Sequence, residues 1–341
     1  MTSNRLQSIA AKYPQLQIAV VGDYCLDRYL EINPARAETS IETGLPVHNV
    51  ERVRPQPGAA GTVLNNLVDL GVGRIYPVGF CGDDGEGYEL KRALKASSGV
   101  DLTYFVQSAE RNTFTYTKPL VMAPGRPPQE LSRIDTKNWT STPEHLSKQL
   151  ASSLAELLER CDAVIVMDQV DLENTGTVTT HVLETLRAYG QGKLVIADSR
   201  RGLGNYPPCL FKMNSAELGR LFNHADPMDE SRTRSFTLQL AERNRYPAVV
   251  TMAEQGLMGA NPDGTLFSTP ALPLRGPIDI VGAGDSVTAN LAAALAADAS
   301  LEDALSLAAL ASSVVIHQLG TSGSASIREM EALLGYLKPQ R

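Results

Sequence analysis

Ile278-Asp279-Ile280-Val281-Gly282-Ala283-Gly284-Asp285-Ser286 runs straight into an alanine-rich stretch with the pattern of a helix. Two glycines flanking one alanine allow a sharp turn that gathers backbone N–H groups at the positive end of that helix, a place for phosphate oxygens. An aspartate in a turn that only bound anions would repel them. It has a use if Asp285 takes a proton from a hydroxyl while the amides of Gly282, Ala283 and Gly284 hold the phosphoryl group that the hydroxyl attacks. The plainer alternative is a glycine turn with Asp285 as helix cap. The motif alone leaves both open.

Outward from this turn, short β-branched runs alternate with helical patterns, as in a parallel sheet covered on both faces. Strands are predicted at Gln17–Val21, Arg74–Val78, Ala163–Met167, Lys193–Ala197 and Ala248–Met252. The clearest helix starts at Thr142-Pro143-Glu144. Thr142 is expected to cap it, Pro143 to take the first helical position, and Leu146, Leu150, Leu154, Leu157 and Leu158 to form a core stripe. Further helices are expected from Ala60 to Leu70, after Asp285, and from Leu301 to about His317. Tyr29–Pro57 and Thr113–Arg133 break the rhythm with alternating residues and prolines. They read as extra β structure projecting from the sheet edge over a cleft, with Pro124–Pro128 as a hairpin end. The fold class is α/β, three-layered, with a mostly parallel central sheet and a small β lid, parsed as one unit over residues 1–341.

Composition narrows the partners. A hydrophobic content of 43% with 20% charged residues is ordinary for a globular protein. The net charge of −7 and the lack of a Lys/Arg cluster argue against nucleic acid, so an anionic substrate would be met by local charge. Cys25, Cys81, Cys161 and Cys209 are far apart and lack metal-ligand spacing; they read as small apolar residues in a reducing compartment. Met1–Lys12 lacks the apolar core of a signal peptide, and Leu291–Ala297 is too short to span a bilayer. A cytoplasmic protein with no membrane partner is expected. His181, His224 and His317 have no carboxylate at useful spacing and are assigned no chemistry.

Seven stretches, in order, resemble the ribokinase-like (phosphofructokinase-B type) carbohydrate kinases over nearly the full length. Val20–Tyr29 resembles the first strand with its sugar-binding aspartate, and Pro57–Thr62 the Gly-Gly substrate motif. Gly82–Gly87 resembles the turn after the next strand, and Gln129–Asp135 the strand carrying an Arg-x-Asp. Asn214-Ser215-Ala216-Glu217 is similar to the Asn-x-x-Glu motif, and Asp279–Asp285 to the catalytic signature. Leu319-Gly320-Thr321 closes the match near the adenine side. Within the family the chain is most similar to the kinases of heptose 7-phosphate in lipopolysaccharide precursor synthesis. Bifunctional members carry a second, nucleotidyl-transfer domain, for which Met1–Arg341 is expected to have no room.

The resemblance implies an ATP-dependent, Mg²⁺-requiring kinase acting on a hydroxyl of a sugar or sugar phosphate. Asp285 would be the base, with Gly282, Ala283 and Gly284 as the anion hole. Asp23, Asp27, Gly58, Ala59, Thr62, Lys118 and Arg133 would contact the substrate. Asp198, with Arg200 beside it, and Asn214, Thr251, Glu254, Gly256 and Gly320 would face the nucleotide. Asn214 and Glu217, three apart on one helical face, would hold Mg²⁺ through its waters; a simple capping pair is the alternative. Relatives with a similar lid imply a homodimer through it.

Several positions depart from the family pattern. Ala59 replaces the second glycine and Thr62 the sugar-binding asparagine, Ala253 stands where glycine is usual, and Ala309 replaces the adenine-side asparagine. Met167–Leu172 lacks the lysine and glycine of a Ser-Asp-Tyr-x-Lys-Gly turn. These changes point to an acceptor other than heptose 7-phosphate, with a phosphorylated sugar modestly favoured because Arg133 and Lys118 remain. A nucleoside kinase of the same fold is the enzymatic alternative, for which the lid offers only scattered aromatics such as Phe114 and Tyr116. A silent sugar- or nucleotide-binding protein is the other, although it would need no proton acceptor beside an anion hole.

Overall fold

The computed structural model describes residues 1–224 and 226–337. The first strand, β1 (Gln17–Gly22), is fully buried from Ile18 to Val21. A continuous apolar run of this kind suits a strand covered on both faces. Ile18 and Val20 enter one core, with Leu64, Leu291 and Leu305 from the helices on that side. Ala19 and Val21 enter the other, with Leu150, Val182 and Leu240.

The remaining strands of the first half are β2 (Tyr24–Ile32), β3 (Glu38–Thr39), β4 (Pro46–Val47), β5 (Val50–Ala59), β6 (Arg74–Gly82), β7 (Phe105–Ser108) and β8 (Phe114–Val121). Then come β9 (Gln129–Glu130), β10 (Ile134–Thr136), β11 (Ala163–Asp168), β12 (Val195–Ser199), β13 (Leu210–Asn214), β14 (Ala248–Thr251), β15 (Leu257–Ala260) and β16 (Leu266–Thr269). The helices are α1 (Ser3–Ala10), α2 (Ala60–Asp69), α3 (Gly85–Ala96), α4 (Glu144–Arg160) and α5 (Thr180–Tyr189). They continue with α6 (Ser215–Leu221), α7 (Glu230–Asn244), α8 (Ala283–Ala296), α9 (Leu301–Val315) and α10 (Ile327–Leu337).

The central sheet has the order β16-β15-β14-β13-β12-β11-β1-β6-β7. Its pairs from β14 through β7 are parallel, and only β15 and β16 run antiparallel. A second sheet has the order β10-β8-β2-β5, with β9 added to β8. It contains strands from both segments that break the βα rhythm. The chain passes from the central sheet into this lid through Asp23 alone, so the lid begins at Tyr24 rather than Tyr29.

Other boundaries also differ from expectation. β6 continues to Gly82, β12 starts at Val195, and β7, β13, β15 and β16 lie outside the expected strands. α4 begins at Glu144 with Pro143 as its N-cap residue. Thr142 does not cap it, because its hydroxyl donates to the Gly176 carbonyl at 2.7 Å.

Candidate active site

At the N-terminus of α8, Gly282 has φ +82° and is the N-cap residue, a left-handed conformation that favours glycine. The amide of Ala283 is not free, since it donates to Ile280 O at 3.2 Å. Among the described residues, the amides of Gly282, Gly284 and Asp285 have no backbone acceptor. The open donors are therefore these three, a correction to the expected set, because the turn closes on Ala283. Asp279 braces the turn: its carboxylate accepts from Val281 N and from Gly320 N, both at 3.1 Å.

Asp285 lies in the first turn of α8 but does not cap the helix; Gly282 occupies that position without a side-chain cap. The Asp285 carboxyl makes no hydrogen bond among the described residues and is pushed up to about 7, chiefly by burial. Lys212 opposes that rise, while Asp198 and Asp27 add to it. Lys212 Nζ lies 3.1 Å from the point where a Cβ on Gly284 would stand, and 2.6 Å from Asp198 Oδ2. Lys212 was not among the expected site residues. Its signal is legible in retrospect: a lysine amid Leu210, Phe211 and Met213 on a buried strand needs a partner. Asp198 is thus committed to Lys212, with Thr288 at 3.4 Å, rather than free for a nucleotide. Arg200 also differs from expectation, reaching toward Asp171 at 3.8 Å on the lid side.

On the lid, register aligns Asp27 with Tyr116 and with Gln56, and Tyr29 with Lys118 and Arg54. Asp27 is buried, pairs with Lys118 Nζ at 2.9 Å and accepts from Ser322 Oγ at 3.0 Å. Lys118 also stands 4.8 Å from the Tyr29 ring centroid. Gly58 lies against the Asp27 carboxylate, and Thr62, buried on α2, extends its methyl toward Gly282. Ala59 has φ +53° and Ala253 φ +50°, so both alanines at family glycine positions hold glycine-like backbone conformations. Arg133 is half-exposed, paired with Asp135 at 2.8 Å and 4.9 Å from the Tyr116 ring.

Asp23 is not placed as expected for a sugar ligand. It is 1% exposed, and its two oxygens accept from Gln169 N at 2.8 Å and Thr177 N at 2.7 Å. Burial pushes its carboxyl upward, and neighbouring Asp168 adds to that.

Asn214 and Glu217 form a reciprocal capping box. Asn214 Oδ1 accepts from Glu217 N at 2.9 Å, and Glu217 Oε2 accepts from Asn214 N at 2.8 Å. The capping alternative is what these contacts describe, and it leaves Glu217 Oε1 outside the box, 4.0 Å from Arg220 Nη2. Burial holds the Glu217 carboxyl above its ordinary value. Among the described residues no group of three acidic, histidine or cysteine side chains gathers as a metal site. Mg²⁺ retains much of its hydration and needs few protein oxygens, so one partly buried carboxylate such as Glu217 fits it. Thr251 ends β14, Glu254 is exposed in the following turn, and Gly256 (φ +93°) packs against Thr269 O.

The model for "pfkB family carbohydrate kinase" matches residues 17–328. The chain belongs to this family of carbohydrate kinases, and its α/β fold is ribokinase-like. "Bifunctional protein HldE" of Helicobacter pylori (strain ATCC 700392 / 26695) is 29% identical over 330 residues, covering 95% of this chain and 68% of that protein. The protein of that name from Pseudomonas syringae pv. syringae (strain B728a) is 32% identical over 320 residues, covering 91% of this chain and 62% of its own length. Arabidopsis thaliana ribokinase, solved with ribose and ATP, superposes with a TM-score of 0.70 at 20% identity, covering 94% of this chain and 98% of that one. Escherichia coli phosphofructokinase-2, solved with substrates and products, gives 0.73 at 18%, with 94% and 99% covered. Among the described residues no helix is long and apolar enough to cross a membrane.

Proposed function

We propose that the protein transfers the γ-phosphoryl group of ATP to a hydroxyl of a sugar or sugar phosphate, with Asp285 as general base. The observation that carries this reading is geometric: the Asp285 carboxyl makes no hydrogen bond among the described residues and lies beside open amides and the Lys212 ammonium, and burial pushes it up to about 7. A base near neutrality accepts the hydroxyl proton efficiently at physiological pH. The amides of Gly282, Gly284 and Asp285 bind the transferring phosphoryl oxygens, and Lys212 adds positive charge at the same turn. Positioning and charge stabilisation carry most of the rate, because phosphoryl transfer needs little covalent help. Mg²⁺ bound with the nucleotide would supply charge neutralisation, and Glu217 would hold it.

Asp27, Lys118, Gly58, Ala59 and Thr62 face the acceptor. Thr62 offers one hydroxyl where an amide would both donate and accept, which disfavours a sugar matched to that amide. The preferred acceptor is then not heptose 7-phosphate, and Lys118 and Arg133 favour a phosphorylated sugar modestly. Thr251, Glu254, Gly256 and Gly320 line the nucleotide side. The chain works as one unit over residues 1–341, in the cytoplasm, as a homodimer through the lid. An ADP-release assay over sugars, sugar phosphates and nucleosides tests this reading. Turnover best with a sugar or sugar phosphate supports it, a nucleoside as best acceptor replaces it, and heptose 7-phosphate as best acceptor removes the argument from Thr62.

A further inference from the structure

A pocket beside the lid is lined by Cys25, Phe114 and Tyr116 on one side and by Val170, Leu172 and Thr175 on the other. The first wall is rigid sheet. The second is the connection from β11 to α5, which has no strand or helix of its own between Gln169 and Thr179. Something must hold that wall in place, and three side chains do so. Arg111, buried, donates to Thr175 O at 2.7 Å and to Thr140 O at 3.0 Å. Thr142 donates to Gly176 O at 2.7 Å. Asp23 accepts from both ends of the segment, at Gln169 N and Thr177 N.

We infer that Asp23 is a positioning residue for acceptor binding: its carboxylate fastens the 169–177 segment, and so shapes the pocket wall, without touching the acceptor itself. Three observations converge. Both oxygens are engaged by backbone amides inside the protein, and the residue is 1% exposed. The fit is tight, because a Cβ on Gly176 would lie 2.3 Å from Asp23 Oδ1. The pocket also shares a lid face with the Asp27–Lys118 pair, since Cys25 and Asp27, and Tyr116 and Lys118, are two residues apart on paired strands. Only an ionised carboxylate accepts at both oxygens; an asparagine would turn its amide group toward one of the two N–H donors.

The inference rests on the kinase reading for its acceptor arm only. Trp139, the chain's only tryptophan, is 68% exposed and lines the same pocket, so it reports on the wall without any turnover. The test compares Asp23→Asn with Gly176→Ala, which displaces the segment sterically while leaving the charge intact. Both variants are expected to shift Trp139 emission and raise its quenching by acrylamide in the ligand-free protein. Both should raise the acceptor KM by about tenfold, the effect of losing a hydrogen bond to a charged group, with the ATP KM unchanged. If Asp23→Asn weakens the acceptor while Trp139 stays as in wild type, Asp23 is a direct ligand and the inference is wrong. Altered Trp139 signals with an unchanged acceptor KM also overturn it. If Asp23→Asn does not fold, Gly176→Ala decides by the same two readouts. Wild-type protein that turns over no acceptor defeats the proposed function, and the ligand-free fluorescence still decides the anchoring.

Discussion

Lys212 Nζ stands 2.6 Å from Asp198 Oδ2, a buried ion pair set against the turn that carries Asp285. The pair does two things at once. Lys212 lowers the Asp285 carboxyl against the upward push of burial, and Asp198 gives the buried ammonium a counter-charge. Lys212→Met keeps the volume and strands Asp198 without its partner, which costs about 3 kcal/mol in chemical denaturation. It also moves the pH dependence of kcat/KM to higher pH, because Asp285 loses the positive charge that most opposes its rise. A profile that stays in place separates Lys212 from Asp285.

Asp285→Asn keeps the turn and removes the proton acceptor, so turnover falls by about 10²–10⁴-fold. In the wild type, kcat/KM rises with pH through about 7 as the base ionises. The stability effect runs the other way. A carboxyl raised in the folded state favours folding below its unfolded pKa and loses that contribution as pH climbs through about 7. Asp285→Asn is therefore matched with wild type in acid and gains relative stability as pH rises from 4 to 8, to be read from denaturation midpoints at about those two values.

Ala59 and Ala253 sit at φ +53° and +50°, where a Cβ is strained. Glycine at either position relieves strain of about 1–3 kcal/mol and loses about 0.5–1 kcal/mol to the freer unfolded chain. Each substitution raises the urea midpoint without changing the slope. A lowered midpoint at either site removes the strain argument there.

Glu217→Gln preserves the capping box, since glutamine still accepts from Asn214 N. What it loses is charge. The Mg²⁺ concentration for half-maximal rate rises several-fold, about the effect of one lost carboxylate, while the acceptor KM holds. Superimposable Mg²⁺ titrations confine Glu217 to capping.

Val53 and Ile134 are exposed apolar residues on the lid strands β5 and β10, at the two edges of that sheet. Unpaired edges with apolar side chains are commonly covered by a second chain. Light scattering at micromolar concentration is expected to give twice the protomer mass, and Val53→Lys with Ile134→Lys to reduce it to one protomer.

Local signals made much of the fold legible. The apolar runs of β1, β11 and β14 mark a parallel sheet without reference to any neighbour, because each strand is buried on both faces. The leucine stripe of α4 is equally local. The start of α4 was not, because Thr142 has two uses for one hydroxyl, and the distant Gly176 carbonyl claimed it. Asp23 and Asp198 read as ligands because a carboxylate at a strand end usually faces a cleft. Their partners, Gln169, Thr177 and Lys212, lie far along the chain or on a neighbouring strand, beyond what spacing reveals.

By itself the sequence determined the α/β class, the glycine turn that opens the helix at Gly282–Asp285 and the lid segments, since each follows from spacing, glycine content and alternation within a short window. Tertiary structure alone decided which amides remain open and which carboxylates are engaged. Ala283 lost its donor to Ile280, Asp23 became an internal clamp, and Lys212 entered the site. The physical reason is that hydrogen bonding and desolvation depend on what surrounds a group, and those surroundings are assembled from chain segments brought together only by folding.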